Sequence, residues 1–322
     1  MTNAKQIERP LVSVVVPCYN ESAVFSMLSK ALADLADCVE PVCRMEFVLV
    51  DDGSHDDTWD KMAAFSAADN RVRAVSLSRN FGHQIALTCG YDLAAGDAVV
   101  CMDADLQDPP EVVAEMIEQW QQGADIVYAV RKSRAGETPF KLMTARLFYR
   151  LFRGVSDSSA PQNAGDFRLL SRRALDAFNQ LRERHRYIRG MVGWLGFKTA
   201  TVYYERRARA AGETKYPLGK MVRFAADAIV SSSSLPLRLS YLFALVGSSV
   251  IFAYLLWVVF KLVFFDEPLV RGWSSLILTI TLFGFLNLLC LGIIGEYIGR
   301  LYEQSKNRPL YLVAEDTKRS EK

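Results

Sequence analysis

Two stretches near the C-terminus, Leu239–Phe265 and Ser274–Ile294, are almost free of charge and about 20 residues or more long, enough for a helix to cross a bilayer core. They restrict the chain more than any other feature. The short linker Asp266–Trp273 makes the pair a two-helix transmembrane hairpin, with spans over about 239–265 and 274–298. Lys261, near the end of the first span, is placed to snorkel to the interface. Arg223 and Arg238 precede the first span, and Arg300, Lys306 and Arg308 follow the second, while the linker carries Arg271. This excess of positive charge outside the hairpin orients both termini to the cytoplasm. The Gly295–Gly299 spacing allows close helix approach, either within the hairpin or in a homo-oligomer.

Residues 11–130 have a different rhythm. The apolar, β-branched runs Leu11–Val16, Phe47–Val50, Val72–Leu77, Ala98–Met102 and Ile126–Val130 read as strands. Helical patterns cover Ser22–Ala36, Asp56–Ala68, His83–Leu93 and Pro110–Gln122 between them. Alternation of this kind predicts an α/β domain with a mostly parallel, Rossmann-like sheet covered on both faces. Ligands of such sheets bind beyond the carboxyl ends of the strands.

Two further segments are basic and amphipathic. In 138–153, Phe140, Met143, Leu147 and Leu151 recur at helical spacing, with Lys141, Arg146, Arg150 and Arg153 among them. Residues 216–230 repeat the pattern with Lys220 and Arg223. Ahead of two spans, both are expected to lie in the membrane interface. The six cysteines show no metal-ligand spacing and read as free thiols in a reducing compartment. Residues 1–10 are polar and charged, unlike a secretory signal. A net charge of +2 gives no global field for nucleic acid.

The chemistry is expected at the strand ends. Asp103 and Asp105, with Gln107, follow the fourth strand. Paired carboxylates there suit Mg²⁺ or Mn²⁺ bridging the protein to a diphosphate. Pro17-Cys18-Tyr19-Asn20-Glu21 leaves the first strand, and Asp51-Asp52-Gly53-Ser54 leaves the second. Gly53 allows a tight turn, and Ser54 with Asp57 reads as a capping box for the next helix. Asp51 is not explained by either role and offers an acceptor for a base or ribose.

Pro17-x-Tyr19-Asn20-Glu21, Asp51-Asp52-Gly53-Ser54 and Asp103-x-Asp105-x-Gln107, in this order, resemble the family 2 glycosyltransferases of the GT-A fold. The run Ser78–Gln84, the extension Asp105–Glu111 and the C-terminal hairpin narrow the resemblance to polyisoprenyl-phosphate glycosyltransferases. The bactoprenol glucosyltransferases of O-antigen glucosylation are the most similar branch. The resemblance implies inverting, metal-dependent transfer of a hexose, glucose favoured, from UDP-glucose to undecaprenyl phosphate at the cytoplasmic face of a bacterial inner membrane. It implies a cytoplasmic catalytic domain over 1–238, the hairpin over 239–298 and a cytoplasmic tail over 299–322. It assigns the nucleotide-sugar to Pro17, Tyr19, Glu21, Asp51, Asp52, Asp103 and Arg209, and the metal to Asp103, Asp105 and Gln107. Asp105, Asp166 and Lys215 become catalytic candidates, Asp166 as base or as positioning group. Arg131 and Arg146 become candidates for the acceptor phosphate.

Other readings stay open on sequence. The same chemistry with GDP-mannose, a UDP-amino-arabinose or a UDP-N-acetylhexosamine needs few pocket changes. A non-catalytic membrane scaffold is the alternative from another class. A processive polysaccharide synthase would carry a Gln-x-x-Arg-Trp motif, and Trp194 lacks the adjacent arginine.

Overall fold

The computed structural model describes residues 9–132, 161, 164–206, 235–264 and 272–318. The sequence-predicted amphipathic segments 138–153 and 216–230, and with them Arg146, Arg209 and Lys215, lie outside the described residues. The described residues fall into two compact units, one drawn from Met1–Pro217 and Pro309–Lys322, the other from Leu218–Arg308.

In the first unit the predicted alternation is realised. In chain order it runs β1 (Leu11–Cys18), α1 (Phe25–Val39), β2 (Arg44–Asp51), α2 (Thr58–Ala68), β3 (Val72–Leu77), α3 (His83–Leu93), β4 (Ala98–Cys101), α4 (Val112–Gln121) and β5 (Ile126–Arg131). Then follow β6 (Ala164–Ser171), α5 (Arg172–Asn179), α6 (Ile188–Trp194) and β7 (Thr199–Tyr204). A last strand, β8 (Val313–Asp316), comes after the second unit.

Among the described residues these strands form one eight-stranded sheet in the order β7-β5-β6-β4-β1-β2-β3-β8. The sheet is mixed: six strands run one way, as the mostly parallel expectation has it, and β6 and β8 run the other. β3, β2, β1 and β4 are parallel neighbours, and so are β5 and β7, but β6 pairs antiparallel with both β4 and β5. The sequence reading counted strands only up to residue 130. An antiparallel strand needs no crossover helix to announce it.

β1 is buried along almost its whole length because helices cover both faces. Val12, Val14 and Val16 pack with Leu28, Leu32 and Met116 on one side. Val15 packs with Leu87, Val99 and Phe178 on the other. α3 lies so close to β1 that a Cβ at Gly90 would stand 2.1 Å from Val15 Cγ1. β8 closes the sheet edge against β3 in antiparallel register, Ser76 opposite Glu315. Arg73 makes two hydrogen bonds to Asp316 (3.1 and 2.7 Å), and Tyr311 donates to Asp92 at 2.9 Å.

The second unit contributes two long helices, α7 (Leu235–Phe264) and α8 (Trp273–Ser305). They approach each other where a Cβ on Gly247 would stand 3.6 Å from Leu286 and 4.0 Å from Phe283. Among the described residues one helix is long and apolar enough to cross a membrane, Thr279–Ser305 with mean hydropathy 1.7; the apolar stretch found in α7, Leu242–Tyr254, is shorter.

The α3–β1 approach generates a stability prediction. Gly90→Ala should cost about 1–3 kcal/mol by overpacking. Adding Val15→Ala should recover part of that loss, because it removes the clashing methyl. Denaturant midpoints of the two variants and wild type check this; a neutral Gly90→Ala would show that α3 shifts freely.

Candidate active site

The first two strand ends are tied together by backbone geometry. Gly53 has φ +68°, and a Cβ there would meet the Arg79 and Asn80 backbone at 2.5 and 2.7 Å, so glycine is required. Ser54 does not form the expected capping box. The helix starts at Thr58, and its N-cap Asp57 makes no side-chain cap bond. Instead Ser54 Oγ accepts from Asn20 N (2.9 Å), and His55 N donates to Asn20 Oδ1 (2.9 Å). Tyr19 sits edge-on to His55, with ring centroids 6.5 Å apart.

Asp51, 2% exposed, accepts from Ser54 N at 3.1 Å and Ser76 Oγ at 3.0 Å. Asp52 accepts from Phe81 N at 2.7 Å and Gly82 N at 2.9 Å, and so fixes the loop that opens α3. Burial raises the Asp52 carboxyl above its ordinary value, against the pull of those two amides. Both aspartates therefore order the loops after β2 and before α3, while Tyr19 and Glu21, just beyond Pro17 in β1, stand on a loop held by Ser54, Thr58 and His55.

The antiparallel β4–β6 pairing builds the centre of the site. Cys101 on β4 is opposite Arg168 on β6. Two residues further out at the same end, the chain presents Asp103 from β4 and Asp166 from β6. Asp166 is heavily engaged. Its Oδ1 accepts from Arg168 Nη2 (2.8 Å) and Arg189 Nε (3.0 Å), and its Oδ2 from Arg189 Nη2 (2.9 Å). Burial works to raise its carboxyl, but Arg189, Arg168 and His83 together hold it well below the usual carboxylate range.

Asp103 is 33% exposed and has no such partners. Burial first, and then the carboxylates Asp166, Asp108 and Asp105, raise it to about 6 against the pull of His83. This is an excess of negative charge that a divalent cation would relieve. Among the described residues no group of three or more His, Cys, Asp or Glu side chains is gathered as a metal cage. Asp103 and Asp105 thus suit an ion that completes its shell from substrate phosphates, as Mg²⁺ commonly does. Gln107 follows on a turn where Leu106 has φ +54° and Gln107 N donates to Asp105 Oδ1 (3.1 Å).

Sequence reasoning missed Asp108. It is 1% exposed and accepts from Tyr204 OH at 2.5 Å, with Arg131 and Arg206 each 3.8 Å away. Arg131 in turn donates to Tyr204 OH at 3.1 Å. The predicted phosphate residue Arg131 is thus held half-buried beside the site, joined by two arginines the sequence did not single out, Arg189 and Arg206. His83 was also missed; its Nε2 lies 3.8 Å from both Asp103 Oδ1 and Asp166 Oδ2. The signal for His83 was its place at the start of α3, beyond a strand end.

The model of glycosyl transferase family 2 matches residues 13–178. An uncharacterized glycosyltransferase of Bacillus subtilis, YkcC, is 46% identical over 94% of this chain and 92% of its own. A prophage bactoprenol glucosyl transferase homolog of Escherichia coli is 38% identical over 94% and 98%. The bactoprenol glucosyl transferase of Shigella phage SfV is 38% identical over 94% and 97%. Among solved structures, glucosyl-3-phosphoglycerate synthase from Mycobacterium tuberculosis with Mn²⁺, UDP-glucose and phosphoglyceric acid superposes with a TM-score of 0.46 at 21% identity, covering 69% of this chain and 78% of that one.

The Asp166 cluster makes a prediction about acid stability. The carboxyl is depressed from its ordinary 3.8, so its contribution is present above that pH and is lost as pH falls toward the folded value. Asp166→Asn strands the buried Arg168 and should cost about 3 kcal/mol or more at neutral pH. Denaturation at several pH values should show the gap between wild type and variant narrowing below about pH 4. A gap independent of pH would contradict the ion-pair account.

Proposed function

The chain belongs to glycosyl transferase family 2, and we propose that it transfers a hexose, glucose from UDP-glucose, to a polyprenyl phosphate at the cytoplasmic face of a bacterial inner membrane. It is a glycosyltransferase with the GT-A-like α/β architecture. The observation that carries the finer reading is the placing of Asp103 and Asp105 beside arginines held by buried carboxylates. One side suits a cation and a diphosphate, the other a phosphate acceptor. The names of the bactoprenol glucosyl transferase relatives support the same acceptor and sugar.

In this reading Pro17, Tyr19 and Glu21 hold the nucleoside, beside the β2 and α3 loops ordered by Asp51 and Asp52. Asp103 and Asp105, with Gln107 nearby, would hold a Mg²⁺ or Mn²⁺ ion, which supplies stabilisation of charge on the departing diphosphate. Arg209 and Lys215 are expected to cover the donor phosphates. Arg131, with Arg189 and Arg206, receives the acceptor phosphate, and Arg146 is a further candidate for it.

A phosphate monoester has a second pKa of about 6 and is already largely dianionic at neutral pH. The nucleophile therefore needs no base. Asp166 would make a poor one, since two guanidiniums hold its carboxyl far below the range useful for proton removal. Its role is positioning: it fixes Arg189 toward the acceptor. The attacking phosphate oxygen forms the new bond at the anomeric carbon, from the face opposite the leaving diphosphate, and inversion results.

The return of the chain to the sheet supports a membrane hairpin. β8 follows α8 yet pairs with β3, which precedes α7. Residues on both sides of the second unit therefore share one compartment. If α8 crosses a bilayer, the chain must cross once more, and α7 is the described helix available for it. The basic residues on both sides of the two helices favour the cytoplasm as that compartment.

Purified protein with labelled UDP-glucose, undecaprenyl phosphate and Mg²⁺ or Mn²⁺ should yield label in the organic phase, and EDTA should abolish it. Asp105→Asn should lower transfer by about 10²-fold or more, as loss of transition-state charge stabilisation does. Label from another nucleotide-sugar instead would change the donor; no label from any would sink the reading. For topology, single cysteines at positions 9 and 308, introduced into a variant lacking the six native cysteines, should react with an impermeant thiol reagent in inverted vesicles and stay protected in intact cells. Opposite sidedness of the two tags would exclude the hairpin.

A further inference from the structure

We infer that His83 contacts the hydroxyl groups of the hexose during transfer and helps to select which hexose is accepted. This rests on the proposed hexosyl transfer. His83 Nε2 stands 3.8 Å from Asp103 Oδ1 and 3.8 Å from Asp166 Oδ2. It therefore lies between the carboxylate on the diphosphate side and the carboxylate on the acceptor side. At that distance neither contact is a hydrogen bond. Arg168 and Arg189 already make three hydrogen bonds to Asp166, and His83 adds only a longer-range attraction. The ring is 39% exposed and open to an incoming group.

The mounting of His83 is rigid. Asp52 holds the amides of Phe81 and Gly82 just before it, and Ile85 N and Ala86 N bond back to Gly82 O. Gln84 Oε1 accepts from Ile188 N (3.1 Å) and so ties the start of α3 to the helix that carries Arg189. A fixed imidazole between two site carboxylates is placed for recognition rather than for a passing surface contact.

The chemistry of the surface that His83, Asp103 and Asp166 present together selects what can lie against it. A bare anion would be repelled by two carboxylates. A cation is better served by Asp103 with Asp105. A neutral polyol fits: its hydroxyls donate to the carboxylate oxygens and accept from the imidazole N–H. The transferred hexose must also lie there, because its anomeric carbon joins the leaving diphosphate to the attacking phosphate.

The test is calorimetric binding to full-length wild type, His83→Ala and His83→Gln with Mg²⁺ and without acceptor. The titrants are UDP, UDP-glucose, UDP-galactose, UDP-N-acetylglucosamine, GDP and GDP-mannose. His83→Ala should bind the bare nucleotide within about twofold of wild type but the preferred nucleotide-sugar about tenfold more weakly, the equivalent of one lost hydrogen bond. Its preference among hexoses should narrow, and His83→Gln should restore part of both. Equal losses for nucleotide and nucleotide-sugar would reduce His83 to a builder of the loop and overturn the inference, as would no loss at all. A wild type that binds a nucleotide-sugar but transfers nothing to polyprenyl phosphate would overturn the proposed acceptor and leave the His83 comparison decisive. A wild type that binds no nucleotide-sugar would overturn both.

Discussion

The antiparallel pairing of β4 with β6 is the constraint on which the site depends. Cys101 opposite Arg168 fixes the register, and that register delivers Asp103 and Asp166 at one end of adjacent strands. Two carboxylates facing each other across a ladder repel, and a protein selected for stability alone would avoid the arrangement. Here the repulsion is managed unequally. Arg168, fully buried, and Arg189 neutralise Asp166, while Asp103 keeps its surplus charge. Two similar side chains from neighbouring strands thereby acquire opposite characters, one locked as an anion among cations, the other left receptive to a cation.

The same logic organises the basic side. Asp166 binds Arg168 and Arg189, and Asp108 faces Arg131 and Arg206, so two buried carboxylates gather four guanidiniums. For the acceptor phosphate proposed above, the three that reach the surface, Arg131, Arg189 and Arg206, are donors whose side-chain freedom is already restricted. Preorganisation of this kind is worth more than the same charges on mobile surface chains, because little ordering remains to be done on binding.

Much of the fold was legible, and the misses have physical causes. The β-branched runs located β1 to β5 to within about three residues, because central strands buried on both faces need continuous apolar sequence. β8 was invisible: Val-Ala-Glu-Asp at a sheet edge has no such run, and its place depends on pairing with a strand some 240 positions earlier. β6 was missed for a related reason, since its reversed direction depends on pairing with β4 and β5 rather than on its own sequence. The position of Asp103 and Asp105 just beyond β4 was legible from the apolar run that precedes them. Ser54 was misread because a capping box and a loop clasp share the same local sequence, and only Asn20, 34 positions away, decides between them. Asp108, Arg189 and Arg206 carry no local pattern; they matter through partners far along the chain.

The closing strand links these features to the second unit. β8 covers the β3 edge, which would otherwise leave unpaired backbone groups open to association. β3 carries Ser76, paired opposite Glu315 on one side and donating to Asp51 on the other. The loop that is proposed to hold the nucleoside is therefore braced, two strands away, by the segment that follows α8. Sending the polypeptide out through an apolar unit and then weaving it back into the catalytic sheet gives the first unit two covalent connections to the second instead of one.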